Sequence, residues 1–177
     1  MGICAGWGRL RYFDLGERQI SYKTTLANIP KLGFQWKVIH DFKPTAYLTD
    51  DNCNGCEEPG TIRVKQSQDG IDLGDIIMTF PVGEECVRLF LEPVPEDGIP
   101  LPEVGEWTRV ELTQEFDENE GSHFLSLSFA GVEVIRAENY LVEGFGHGDL
   151  MDMHIELGEC NVQIPGFIRR LIVLEKS

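Results

Sequence analysis

"WTRVELTQEFDENEGSHFLSLSFAGVEV", residues 107–134, shows a period of two on both sides of a polar break. Thr108, Val110 and Leu112 fall on one side of an extended chain, and Arg109, Glu111 and Thr113 on the other. His123, Leu125, Leu127 and Phe129 alternate with Phe124, Ser126 and Ser128 in the same way. Between them, Asp117-Glu118-Asn119-Glu120-Gly121-Ser122 is a run of turn formers. Ala130-Gly131 marks a second tight turn, into a strand at 132–136.

The same period recurs on either side of this stretch. Ile20, Tyr22, Thr24 and Leu26 share a face. So do Phe34, Trp36, Val38, His40 and Phe42, with Gln35, Lys37, Ile39 and Asp41 opposite, until Pro44 limits the ladder. Residues 61–66, 75–80 and 85–92 are further short runs, and the four prolines of 93–102 read as an extended connection. Met151, Met153, Ile155 and Leu157 alternate with Asp152, His154 and Glu156. Residues 167–175 close the chain as a nearly continuous apolar strand, so Arg169 and Arg170 must reach solvent or a partner. Of the tryptophans, Trp36 and Trp107 are expected in the core and Trp7, between two glycines, outside it. Ten or more short strands, punctuated by Gly, Pro, Asp and Asn, predict an all-β fold. The expected form is one antiparallel β-sandwich, a jelly roll, spanning 1–177.

Composition narrows the partners. With 42% hydrophobic and 25% charged residues the chain can build a packed core. A formal charge of -15 repels nucleic acid over most of the surface and attracts cations. No apolar run has the ~18 residues a membrane helix needs. The N-terminus has no basic segment leading into an apolar run, which fits either a cytoplasmic chain or a secreted domain whose signal has been removed. Five cysteines leave at least one without an intrachain partner, and Cys53-Asn54-Gly55-Cys56 has no second CxxC to complete a zinc site. A local disulfide and free thiols both remain open there.

The C-terminal part carries a resemblance. The run Trp107-Thr108-Arg109-Val110-Glu111-Leu112 is followed by an acidic turn, Phe124-Leu125-Ser126-Leu127, and a turn at Ala130-Gly131. Ile164-Pro165-Gly166-Phe167-Ile168-Arg169-Arg170-Leu171 then begins the final strand. This order resembles the concanavalin A-like jelly roll, including the laminin G-like and lectin-like domains, and Trp36 to Pro44 is similar to an inner strand of that fold. The resemblance implies a noncatalytic recognition module that binds a glycan or an extracellular protein, with calcium as the one cofactor expected.

Three sets of residues are candidates for a site. Glu115, Asp117 and Glu120 form E-x-D-x-x-E, a spacing found on the catalytic strand of some jelly-roll glycosidases. A retaining glycosidase needs two carboxyl groups ~5–5.5 Å apart, but the turn formers here favour a solvated hairpin, so hydrolysis is the alternative reading. For calcium, Asp50 and Asp51 in one loop and Asp149 in another supply hard oxygen ligands. For a glycan, Trp7, Asn52, Asn54 and His147 are the candidates. His154 between Asp152 and Glu156 forms either a small metal or proton site or a satisfied surface cluster. A third reading is a structural subunit that assembles into a homo-oligomer through strand edges and the odd cysteine.

Overall fold

The computed structural model describes residues 6–14, 16–19, 24–45, 62–78, 102–146, 148–157 and 166–176. Among the described residues, eleven strands form two antiparallel sheets. The larger sheet is built from β1 (Trp7–Asp14), β2 (Arg18–Gln19), β4 (Trp36–Pro44), β7 (Thr108–Asp117), β8 (Ser122–Phe129), β9 (Val132–Glu138) and β11 (Gly166–Lys176). Its order is β1-β11-β4-β7-β8-β9, with β2 paired to β11. The smaller sheet has β3 (Thr24–Gly33), β10 (Leu150–Leu157), β5 (Ile62–Gln68) and β6 (Ile71–Met78) in the order β3-β10-β5-β6. One short 3-10 helix, Tyr140–Val142, links β9 to β10.

Alternation fixes which side chains meet. Trp36, Val38 and Phe42 of β4, Val110 and Leu112 of β7, and Leu125 and Leu127 of β8 turn inward onto Val64 of β5 and Met153 and Ile155 of β10. The Ala130-Gly131 turn has both residues at positive φ (49° and 82°). That conformation matches the right-handed twist of the hairpin it closes. Gly166 is required for another reason: a Cβ there would lie 2.7 Å from the backbone oxygen of Lys43.

Two polar features lie between the sheets. Near one end, Trp36 Nε1 donates to Gln66 Oε1 at 3.0 Å, and Gln66 Nε2 donates to Gln114 Oε1 at 3.0 Å. Gln114 Nε2 reaches the Phe34 carbonyl at 2.9 Å, and Asn139 Nδ2 donates to Gln114 Oε1 at 2.8 Å. Gln66 belongs to the smaller sheet and Gln114 to the larger, so this chain of bonds ties the layers together. Further along β4, His40 is fully buried, and neither ring nitrogen has a hydrogen-bond partner. Loss of hydration pushes its pKa down to about 3, because charging the ring in an apolar interior is costly.

Two expectations are corrected here, and Trp7 stands outside the core. Trp36 is fully buried, but Trp107 is not in the core. It lies half-buried with the Arg169 guanidinium 4.0 Å and the Lys43 ammonium 4.8 Å from its ring. Trp107 has the parity of Arg109, the outward side of β7. Trp7 is half-buried within β1, with the ammonium groups of Lys37 and Lys176 over its ring at 5.1 Å and 5.8 Å. Finally, β7 runs through Asp117, so Glu115 and Asp117 belong to a strand and only residues 118–121 form the turn. The strand expected at 85–92 lies outside the described residues.

Candidate functional site

The outer face of the four-stranded sheet gathers the densest set of interacting polar side chains. On β10 the inward positions are Met151, Met153 and Ile155, which leaves Asp152, His154 and Glu156 on the outside. On β5, Ile62, Val64 and Gln66 are buried, and Arg63, Lys65 and Ser67 face out. Register then sets the rows. His154 lies opposite Asn28 of β3 and Lys65 of β5, and Lys65 lies opposite Asp75 of β6. Residues directly opposite in antiparallel strands share a face, so Asn28, His154, Lys65 and Asp75 form one row across four strands.

The geometry is tight. His154 Nδ1 lies 2.5 Å from Asn28 Oδ1, and Nε2 lies 3.2 Å from Glu156 Oε2. With each ring nitrogen facing an oxygen, the plane of the imidazole is fixed. Glu156 Oε1 lies 3.5 Å from Lys65 Nζ and 3.7 Å from an Arg63 nitrogen, and Arg63 also pairs with Asp75 at 2.7 Å. The Glu156 side chain is only 9% exposed and that of Arg63 13%, so water screens these charges poorly. Beside the cluster is a shallow cavity of about 340 Å³, lined by Asn28, Ser67, Asp152 and His154 among others. Asp152 Oδ1 accepts a bond from the Lys31 amide at 3.1 Å. Asn28, Ser67, Asp152 and His154 thus present both donors and acceptors to an open depression, an arrangement suited to a hydroxyl-rich ligand.

The other sequence candidates are dispersed. Glu115 lies on the outer side of the larger sheet, ion-paired to Lys176. Asp117 serves the turn: it accepts from the backbone amides of Asn119 (2.9 Å) and Glu120 (3.2 Å), and it pairs with Arg136 at 2.8 Å. Those backbone bonds, with help from Arg136, hold its carboxyl below the usual range. Glu120 is exposed within the turn. Asp149 accepts from the Gly146 amide at 2.8 Å, inside the loop before β10. Asp50, Asp51, Asn52, Asn54 and His147 lie outside the described residues. Among the described residues, no group of three or more His, Cys, Asp or Glu is placed to hold a metal ion. Sequence reading found Asp152, His154 and Glu156 but missed Asn28, Arg63, Lys65 and Asp75. Their outward parity in strands was legible; their nearness to His154 depends on strand order and register.

No protein-family model matches the sequence, and no curated protein matches it. Solved structures are similar in fold. The endo-β-1,4-glucuronan lyase of the fungus Trichoderma reesei aligns at a TM-score of 0.51 with 11% identity, covering 97% of this chain and 92% of that one. Alginate lyase Aly36B aligns at 0.52 with 10% identity, over 90% of this chain and 80% of the other. The Emp47p carbohydrate recognition domain aligns at 0.47 with 10% identity, over 93% and 89%. At such identities the likeness is one of architecture. The two-sheet topology and the likeness to the two lyases show the fold, an antiparallel β-sandwich of the jelly-roll type.

Proposed function

We propose that the chain is a noncatalytic recognition module that binds a glycan on the outer face of its four-stranded sheet. The observation that carries this reading is the row of exposed Asn28 and half-buried His154, Lys65 and Asp75, braced by Glu156 and Arg63 beside an open cavity. A sugar offers hydroxyl groups that both donate and accept, and this row offers both kinds of partner at strand spacing, ~4.8 Å. Ligand screening on a glycan array, followed by isothermal titration with and without calcium, tests the reading and its metal dependence together. A His154→Ala variant is expected to weaken binding at least ten-fold. No sugar ligand for the wild-type chain, or unchanged affinity in the variant, would overturn it.

A second reading is cleavage of a bound acidic glycan by elimination, and one observation favours it. Two cationic groups, Lys65 and Arg63, flank the carboxylate that touches His154. On binding, Lys65 and Arg63 would be shared between Glu156 and the sugar carboxylate, and the imidazole would take the proton on the carbon beside that carboxylate. The glycosidic C–O bond would break with its electron pair leaving on the departing oxygen, which takes a proton from water. This reading requires an unsaturated sugar product, visible by ultraviolet absorbance and lost in His154→Ala.

A further inference from the structure

The depression beside His154 has a neighbour. A second cavity, of about 290 Å³, lies between β1 and β3 and is lined by Arg9, Leu10, Arg11 and Tyr12. The two cavities share Asn28, Ile29 and Pro30 of β3. Among the described residues β3 is the edge of the smaller sheet and β1 the edge of the larger, so the two depressions flank the open side of the sandwich. Arg11 Nη2 donates to the Pro30 carbonyl at 2.8 Å and the Tyr12 hydroxyl to the Leu26 carbonyl at 2.7 Å, which fastens β1 against β3.

The β3 edge is not built to accept another strand. Pro30 has no amide hydrogen. Lys31, at φ 54°, breaks the extended run, and its amide is already bonded to Asp152. Proline and a bulge are the usual devices that stop an edge from pairing with a peptide. Side chains, not a backbone ladder, therefore line the passage over β3. At its far end the charge is unbalanced. Arg9 and Arg11 share one carboxylate, Glu175, at 3.7 Å and 3.6 Å, and the Arg9 side chain is 68% exposed. Among the described residues that leaves two guanidinium groups on one carboxylate, in a chain of net charge -15.

We propose that the two depressions are consecutive subsites of one track. The ligand is an oligosaccharide of several residues that crosses β3 from His154 and places an acidic group, a carboxylate or a sulfate, against Arg9. This rests on the glycan reading above and extends it from a single sugar position to chain length and charge. An anion close to Arg9 gains a charge-assisted contact that a neutral sugar lacks. A single residue fills only one depression and leaves the other empty.

The test is a length series measured by titration calorimetry on the full chain. The probes are uronic acid oligosaccharides of one to four residues and neutral gluco-oligosaccharides of the same lengths. In the wild type, affinity for the acidic series is expected to rise at least ten-fold from one residue to four, and less for the neutral series. Arg9→Ala is expected to remove that difference. His154→Ala is expected to weaken every length. Affinity independent of length, or an Arg9→Ala variant that matches wild type throughout, would overturn the track and leave the His154 site standing. Failure of every sugar to bind the wild type would remove the glycan reading itself, and the track with it.

Discussion

The outer faces of the two sheets use the same ion-pair chemistry in different settings. On the larger sheet the contacts fall into small groups, among them Glu175 with Arg9 and Arg11 and Asp41 with Arg169 and Arg170. Lys37 and Lys176 lie over Trp7, the Arg136 guanidinium is 3.8 Å from the Phe124 ring, and Arg109 meets Glu111 at 3.2 Å. Arg109 and Arg136 are well exposed, at 52% and 44% of the side chain. On the smaller sheet the partners are shared. Glu156 is in contact with His154, Lys65 and Arg63, and Arg63 also holds Asp75. Connection, more than exposure, separates the two cases: the side chains of Glu175 (12%) and Asp41 (14%) are nearly as dry as that of Glu156 (9%), but Arg63 joins Glu156 to a second acid, Asp75. Burial makes charges depend on one another, and such a network is held ready for a ligand before the ligand arrives.

Removing a shared acid is the most severe way to break this contrast. Glu156→Ala leaves Lys65 without its carboxylate and Arg63 with Asp75, and is expected to cost about 2 kcal/mol in urea unfolding. A loss no larger than that of a surface variant would mean that the network is as well hydrated as the opposite face.

Acid tests the interior that both faces rest on. The pKa of His40 is depressed in the folded state, to about 3 from 6.5, so below pH 6.5 the unfolded chain binds the extra proton. The stability contributed by keeping this ring neutral is complete above pH 6.5 and is lost as pH falls toward 3. At pH 5 the loss is about 2 kcal/mol relative to neutral pH. His40→Leu should flatten that part of the pH profile in denaturant melts. If the slope between pH 5 and 6.5 survives the substitution, another group is responsible.

Smaller effects are expected on the larger sheet. Arg136→Ala removes the stacking on Phe124 and the pair with Asp117, for about 0.5–1 kcal/mol. That loss should shrink in high salt, unlike the loss in Glu156→Ala. Glu115→Gln is expected to be nearly neutral for stability. Its value is chemical: reducing-sugar release from a β-glucan that disappears in this variant would restore the hydrolase reading.

Legibility differed between segments for physical reasons. The strands at 108–113 and 123–129 were plain because each residue alternates without interruption. β1 was not recognised, because its ladder with β11 shifts register between Trp7 and Arg9 and again between Leu10 and Tyr12. Each shift scrambles the period of two. β3 was read only to Leu26, since Pro30 and the positive-φ Lys31 hide a strand that continues to Gly33. Arg169 and Arg170 are neighbours in sequence and would be expected to diverge. Arg170 instead has φ 56°, at a register break in β11, and both guanidinium groups reach Asp41, at 3.2 Å and 3.5 Å.

The sequence by itself determined the strands and, for most of them, which side chains face the core. Those properties are local: the pleat turns successive Cβ atoms to opposite sides wherever the chain is extended. Only the tertiary structure decided that Asn28, Lys65 and Asp75 stand beside His154, and that Arg9 lies across β3 from them. Strand neighbours and register are set by long-range packing of the two sheets, and alternation within a strand carries no record of which distant strand lies beside it.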